Sequence, residues 1–174
     1  MKNLLYSTVI GVLTSLVMVS CLGEPEDLVV AQNEARLDVN DYLIFGTYRG
    51  FCQGGAQCID IFKLEGEQLF EDSNDHYPGG EAPYQGNFIE LSETAYQSAA
   101  RITDHLPERL FLQQERFIGN PDIADQGGYY VEIRRDGIIW AWRIDTYRDA
   151  TPEWLHTFLN VLDNSIDGLG SEDR

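Results

Sequence analysis

Cations are scarce in this chain: 12 lysines and arginines stand against 29 acids in 174 residues, a formal net charge of −17. A field of that sign repels phosphate backbones, so nucleic acid is not an expected partner. Histidine is rarer still, and His76, His105 and His156 are too scattered to complete a zinc site with cysteine. The chain has no G-x-S-x-G, no H-E-x-x-H and no P-loop. Paired carboxylates abound in so acidic a sequence and therefore identify no glycosidase. No catalytic residue, metal or cofactor is assigned on this basis, and a non-enzymatic, monomeric protein is expected. Internal repeats and low-complexity tracts are missing too. No apolar run reaches the roughly 20 residues that a transmembrane helix needs.

What is present begins at the N-terminus. Met1-Lys2-Asn3 precedes an apolar run, Leu4 to Val19, diluted by Ser7, Thr8, Gly11, Thr14 and Ser15, and Ser20-Cys21 follows. A basic start, an apolar centre and a small residue before the cut make residues 1–20 a secretory signal. Met18-Val19-Ser20-Cys21 resembles the lipobox of bacterial lipoproteins, with Met18 where that family usually has Leu. The resemblance implies a diacylglyceryl thioether on Cys21, cleavage before it and acylation, typically with palmitate, of the new amine. Two or three acyl chains at about 0.8 kcal/mol per buried CH₂ make a durable membrane anchor without a span. Leu22 is not the Asp that marks inner-membrane retention, which favours the outer membrane. Glu24, Glu26 and Asp27 loosely resemble the surface-export signal of Bacteroidota lipoproteins.

Losing residues 1–20 removes one cation, Lys2, and no acid, leaving 11 against 29, net −18. Residues 21–40 read as an acidic tether with a reach of about 25 Å. Residues 41–170 read as one domain large enough for a real core, and 171–174 as a disordered tail. With Cys21 taken by lipid, Cys52 and Cys58 are left in an oxidising compartment and are expected to pair. The five residues between them, Gln53-Gly54-Gly55-Ala56-Gln57, include two glycines that let a short loop turn back.

Within the domain, Tyr42–Tyr48, Ile59–Leu64, Gln68–Glu71 and Gly86–Leu91 read as strands, with a turn at Glu65-Gly66. Ser92 caps a helix running to His105, with Tyr96, Ala99, Ala100, Thr103 and Leu106 at helical spacing. Tyr129–Arg134 and Ile138–Asp145 flank Asp136-Gly137, the strongest hairpin signal in the chain. Thr151-Pro152-Glu153 opens a last helix with apolar face Leu155, Phe158, Leu159, Leu162, Ile166 and Leu169, ending at Gly168. The order implies an α+β fold, an antiparallel sheet of about five to seven strands packed by two helices.

Candidate binding residues fall in two places. The long loop from Asp72 to Tyr84 holds His76, Tyr77 and Tyr84, and loops of that length are often functional. Its acidic start, Glu71-Asp72-Ser73-Asn74-Asp75, departs from a calcium loop because His76 and Tyr77 stand where a ligand and a glycine belong, so a solvated turn is expected. The second place is the last strand. Trp140 and Trp142 point one way with Ile144, whereas Ile139, Ala141 and Arg143 point the other. The tryptophans suit a core under helices, or alternatively a stacking face for glycans. Arg134, Arg135 and Arg143 are expected to pair with acids such as Glu132 and Asp145 on the solvent face, with an acidic-ligand site as the alternative.

The run Phe51 to Leu64 with its two cysteines, then Leu69-Phe70-Glu71-Asp72, Tyr77-Pro78, Gly119-Asn120-Pro121-Asp122, Trp142-Arg143-Ile144-Asp145 and Pro152 before Leu155-His156, resembles a family of uncharacterised Bacteroidota lipoproteins. The resemblance spans Phe45 to Ile166. It implies a secreted, lipid-anchored domain and brings no catalytic residue. The expected role is to bind an envelope protein or another envelope component. Glycan binding is the alternative, and an uncharacterised hydrolase the third.

Overall fold

Tyr42–Tyr48 carries no charged residue, and a run of this length whose one aliphatic hydroxyl is Thr47 suits a strand covered on both faces. The computed structural model, which describes residues 37, 38, 40–51, 58–79 and 82–172, places it as strand β1 near the middle of a sheet. The chain divides into two units, 1–32 and 33–174, and every described residue belongs to the second. Cys21, Cys52, the expected signal and most of the expected tether lie outside the described residues.

The other strands are β2 (Ile59–Glu65), β3 (Gln68–Asp72), β4 (Phe88–Glu90), β5 (Phe117–Ile118), β6 (Gly128–Arg135) and β7 (Ile138–Asp145). They form one seven-stranded sheet in the order β4-β3-β2-β1-β6-β7-β5. All neighbours are antiparallel except β5 and β7, which pair in parallel at Phe117–Arg143 and Ile118–Ile144. With two α-helices against the sheet, the fold is α+β. Both expected hairpins form. Gly66 has φ 62°, and Asp136 and Gly137 have φ 54° and 76°, the left-handed values a two-residue turn between twisted strands requires.

The two faces of the sheet are covered differently. On one, Leu43, Phe45, Phe62, Leu64, Val131, Ile133, Trp142 and Ile144 meet the helices α1 (Glu93–Ala99) and α2 (His156–Glu172). All six expected apolar positions of the last helical region, Leu155 through Leu169, are buried there. On the other face, Tyr42, Ile44, Tyr48, Ile59, Ile61 and Tyr130 form a smaller cluster, with Tyr84 and Phe88 packed against it.

Helix ends depart from expectation. The Ser92 hydroxyl accepts from the Ala95 N–H at 3.2 Å as expected, but α1 stops at Ala99 and continues as a 3₁₀ segment, Ala100–His105. Thr103 donates its hydroxyl to the Ala100 carbonyl there, a local bond that competes with the α-helical ladder. Thr151 is not a side-chain cap: its hydroxyl donates back to the Arg148 carbonyl, Pro152 holds the capping position, and Glu153–Leu155 forms a 3₁₀ turn before α2. Gly168 does not end α2, which runs on to Glu172. Buried Leu169 draws the helix past it, and tertiary packing outweighs a glycine penalty of about 1 kcal/mol.

Candidate functional site

The described residues of the segment 72–87 lie over the second face of the sheet, and two buried carboxylates hold them there. Asp72, at the end of β3, is 1% exposed. It accepts from the Tyr84 hydroxyl at 2.7 Å and from the N–H groups of Asn87 at 2.7 Å and Asn74 at 3.1 Å. Glu132, on β6, is fully buried and accepts from the hydroxyls of Tyr42 (2.7 Å) and Tyr130 (2.6 Å) and from the Tyr84 N–H (2.8 Å). Tyr84 therefore touches both acids, one through its backbone and one through its ring. That ring lies 5.5 Å from Tyr130 and 6.1 Å from Phe88. The loop is stapled to the sheet by Tyr84, which acts as a structural residue.

Electrostatics follow from this burial. Burial alone would raise the Asp72 pKa, but the bonds from Tyr84, Asn74, Asn87 and His76 outweigh it and hold the carboxyl below its ordinary 3.8. Tyr130, Tyr84 and Tyr42 are all raised, first by burial and then by the neighbouring carboxylates. Their hydroxyls remain neutral donors at physiological pH. Asp72 and Glu132 already accept several hydrogen bonds each, so they act as fixed acceptors in the fold.

Tyr77 packs against another member of the second-face cluster, Tyr48. Tyr77 is 45% exposed, donates its hydroxyl to Asp122 at 3.1 Å and meets Tyr48 edge-on at 5.1 Å. Asp122 takes φ 60° and also accepts from the Gly127 N–H, so a second turn braces the loop. His76 is exposed, and its Nδ1 lies 3.3 Å from the Gln85 carbonyl oxygen. Two neighbouring clefts share Tyr130. One, about 200 Å³, opens between His76, Tyr77, Pro83 and Tyr84. The other, about 290 Å³, lies between Gly79 and Ala82 of the loop and Arg116, Phe117 and Arg143 at the sheet edge. His76, Tyr77, Tyr84 and Arg143 are thus brought to one face.

The tryptophans are elsewhere. Trp142 is 2% exposed in the helical core, and Trp140 is half-buried beside it, edge-on to Phe111 at 5.1 Å. Phe111 belongs to a 3₁₀ segment, Glu108–Leu112, that covers them. They form no open stacking face for a glycan. Glu132 and Asp145 also differ from expectation, for both are buried and neither lies on the solvent face. Arg134 reaches Glu65 at 3.6 Å and Arg135 reaches Glu108 at 3.1 Å instead. Within the acidic run before the loop, Ser73 and Asn74 form an exposed turn as expected, but Asp72 departs from it in being buried. Among the described residues no group of three or more His, Cys, Asp or Glu could hold a metal ion. Cys58 is disulfide-bonded, and its expected partner Cys52 lies outside the described residues.

A larger groove of about 750 Å³ runs between the β2–β3 turn and the 3₁₀ segment after α1. Its polar lining includes the like-charged Asp38, Glu67 and Asp104, and it holds none of the converging donors seen under the loop. The smaller clefts are chemically the better site. Sequence reasoning missed Arg116 and Phe117, because a two-residue strand leaves no periodicity to read. Neither a family model nor a curated protein matches the chain.

Proposed function

We propose that the protein is a lipid-anchored, non-enzymatic binding domain of the bacterial cell envelope, tethered through Cys21 to a membrane, in the outer membrane by preference. On this reading it binds an envelope protein or another envelope component through the loop-bearing face. The observation that carries the reading is the double staple of Tyr84 onto buried Asp72 and Glu132. A long loop fixed over a sheet face presents Tyr77 and the cleft beside Arg143 in one preset geometry, which lowers the ordering cost of binding. The same staple leaves both buried acids fully engaged, which favours recognition over acid–base chemistry.

The anchor and the face are tested separately on intact cells. Labelled fatty acid is expected in the wild type and not in Cys21→Ser; labelling of both overturns the anchor. A photo-crosslinker at Tyr77 is expected to capture a discrete envelope component, and one at exposed Gln97 on α1 is not. Equal capture from both positions overturns the assignment of the face.

A further inference from the structure

The two outer edges of the sheet are closed to different extents. β4, at one edge, is three residues long and carries Glu90, features that blunt an edge against further pairing. At the other edge, β5 pairs with β7 only at Arg143 and Ile144, and the chain bends at Arg116 as it arrives. Among the described residues, no strand lies beside residues 138–142 on the side away from β6. The Arg143 N–H points to that side, where it donates to the Arg116 carbonyl at 2.8 Å. Backbone groups alternate between the two sides of a strand, so Ile139 and Ala141 turn their N–H and C=O groups the same way. Among the described residues, neither backbone finds a partner there. Nothing blunts this stretch: it holds no charge, proline or bulge, and Ile138 and Ile139 are both exposed.

The open stretch ends at the Asp136-Gly137 turn on one side and at β5 on the other, so only a short strand can pair with it. β7 itself meets that limit. Laid antiparallel about a two-fold axis at Trp140, it brings Ile139 opposite Ala141 of the second copy and Ala141 opposite Ile139, each pair exchanging both backbone bonds. Trp140, half-buried on the helical side, then faces its own counterpart in the closer, non-hydrogen-bonded pair, where cross-strand aromatics stabilise a sheet. The same arrangement carries the turn of each copy to the start of β5 in the other. Asp136 and Arg116 are both exposed, so an acid meets a cation at each end of the interface. We propose that β7 pairs with β7 of a second copy, joining two sheets edge to edge into one of twice seven strands. The protein is then a dimer, in place of the monomer expected from its sequence. Because the axis runs perpendicular to the sheet, both loop-bearing faces look the same way, and a repeated partner is held by two sites at once.

A photo-crosslinker at Ile138 of the full-length protein on intact cells tests it. A product of twice the chain mass is expected, its crosslink mapping to β7 of the second copy, and the same probe at exposed Ile89 on β4 should give none. Ile139→Pro deletes one outward N–H and leaves the β6 ladder intact, so it should lower the yield at least tenfold while the circular dichroism of the purified protein is unchanged. If Ile139→Pro fails to fold, Ile139→Lys, which sets a charge on the edge, carries the test in its place. Asp136→Asn and Arg116→Gln should each lower the yield about threefold, and the double variant no further, since either change already breaks the pair. Absence of the doubled mass, capture of a different protein from Ile138, a crosslink that maps outside β7, or equal yield from Ile89 overturns the proposal. So does a yield indifferent to the edge variants, or losses from the two charge variants that add. Capture at Tyr77 reads the binding face and does not depend on this pairing.

Discussion

Glu132 takes its three hydrogen bonds from two phenols and a backbone N–H, donors that come from β1, β6 and the loop. In Glu132→Gln an amide NH₂ would face one of those donors, leaving buried groups unmet. A loss of about 2 kcal/mol in urea unfolding is expected, with a smaller one for Tyr84→Phe, since Asp72 keeps its backbone donors. An unchanged midpoint for Glu132→Gln would show the staple to be idle. Asp72 supplies a pH signature. Its folded pKa lies below the unfolded 3.8, so its contribution is complete above that value and is lost as pH falls through the folded pKa. Acid titration of stability should therefore show a component below pH 3.8 that Asp72→Asn abolishes. Little of this network was legible in the sequence. The patterning marked Tyr84 and the arginines, but an acid on a β-rich strand looks solvent-facing until the cover over that face is known.

Glycines at the level of strand and helix behave in opposite ways. Gly46 in β1 has the Asp60 carbonyl oxygen where a Cβ would stand, so Gly46→Ala must push two paired strands apart. A destabilisation of about 3 kcal/mol is expected. Gly168 sits inside α2 with nothing within 4 Å of where an added methyl would stand, so Gly168→Ala should stabilise by about 0.5–1 kcal/mol. Thermal unfolding followed by circular dichroism reads both signs, and a stable Gly46→Ala would refute the close β1–β2 approach. Elements with strong period or turn chemistry were readable in advance: β1, both hairpins and the apolar face of α2. The 3₁₀ segments and β5 were not, because two to six residues carry no period to read and their form depends on tertiary contacts, such as Phe111 against Trp140 and Trp142 and β5 against β7. Gly168 misled for the same reason, since a local stop signal was overridden by packing.

At the scale of the whole molecule, tyrosine dominates the response to alkali. Tyr42, Tyr48, Tyr84 and Tyr130 are strongly raised and Tyr129 is raised to about 12, each first by burial. Above pH 10 the unfolded chain releases phenolic protons that the folded chain retains, so stability falls as pH rises. Cooperative alkaline unfolding is expected, with absorbance at 295 nm rising together with the loss of circular dichroism. Phenolate absorbance that rises well before unfolding would contradict the buried hydroxyls. Salt distinguishes the buried staple from the surface charge. The staple joins neutral donors to buried acids and is shielded from the solvent's ions, whereas the surplus of negative charge over the surface repels itself. Raising ionic strength should relieve that repulsion without loosening the loop, making this a protein that tightens in brine.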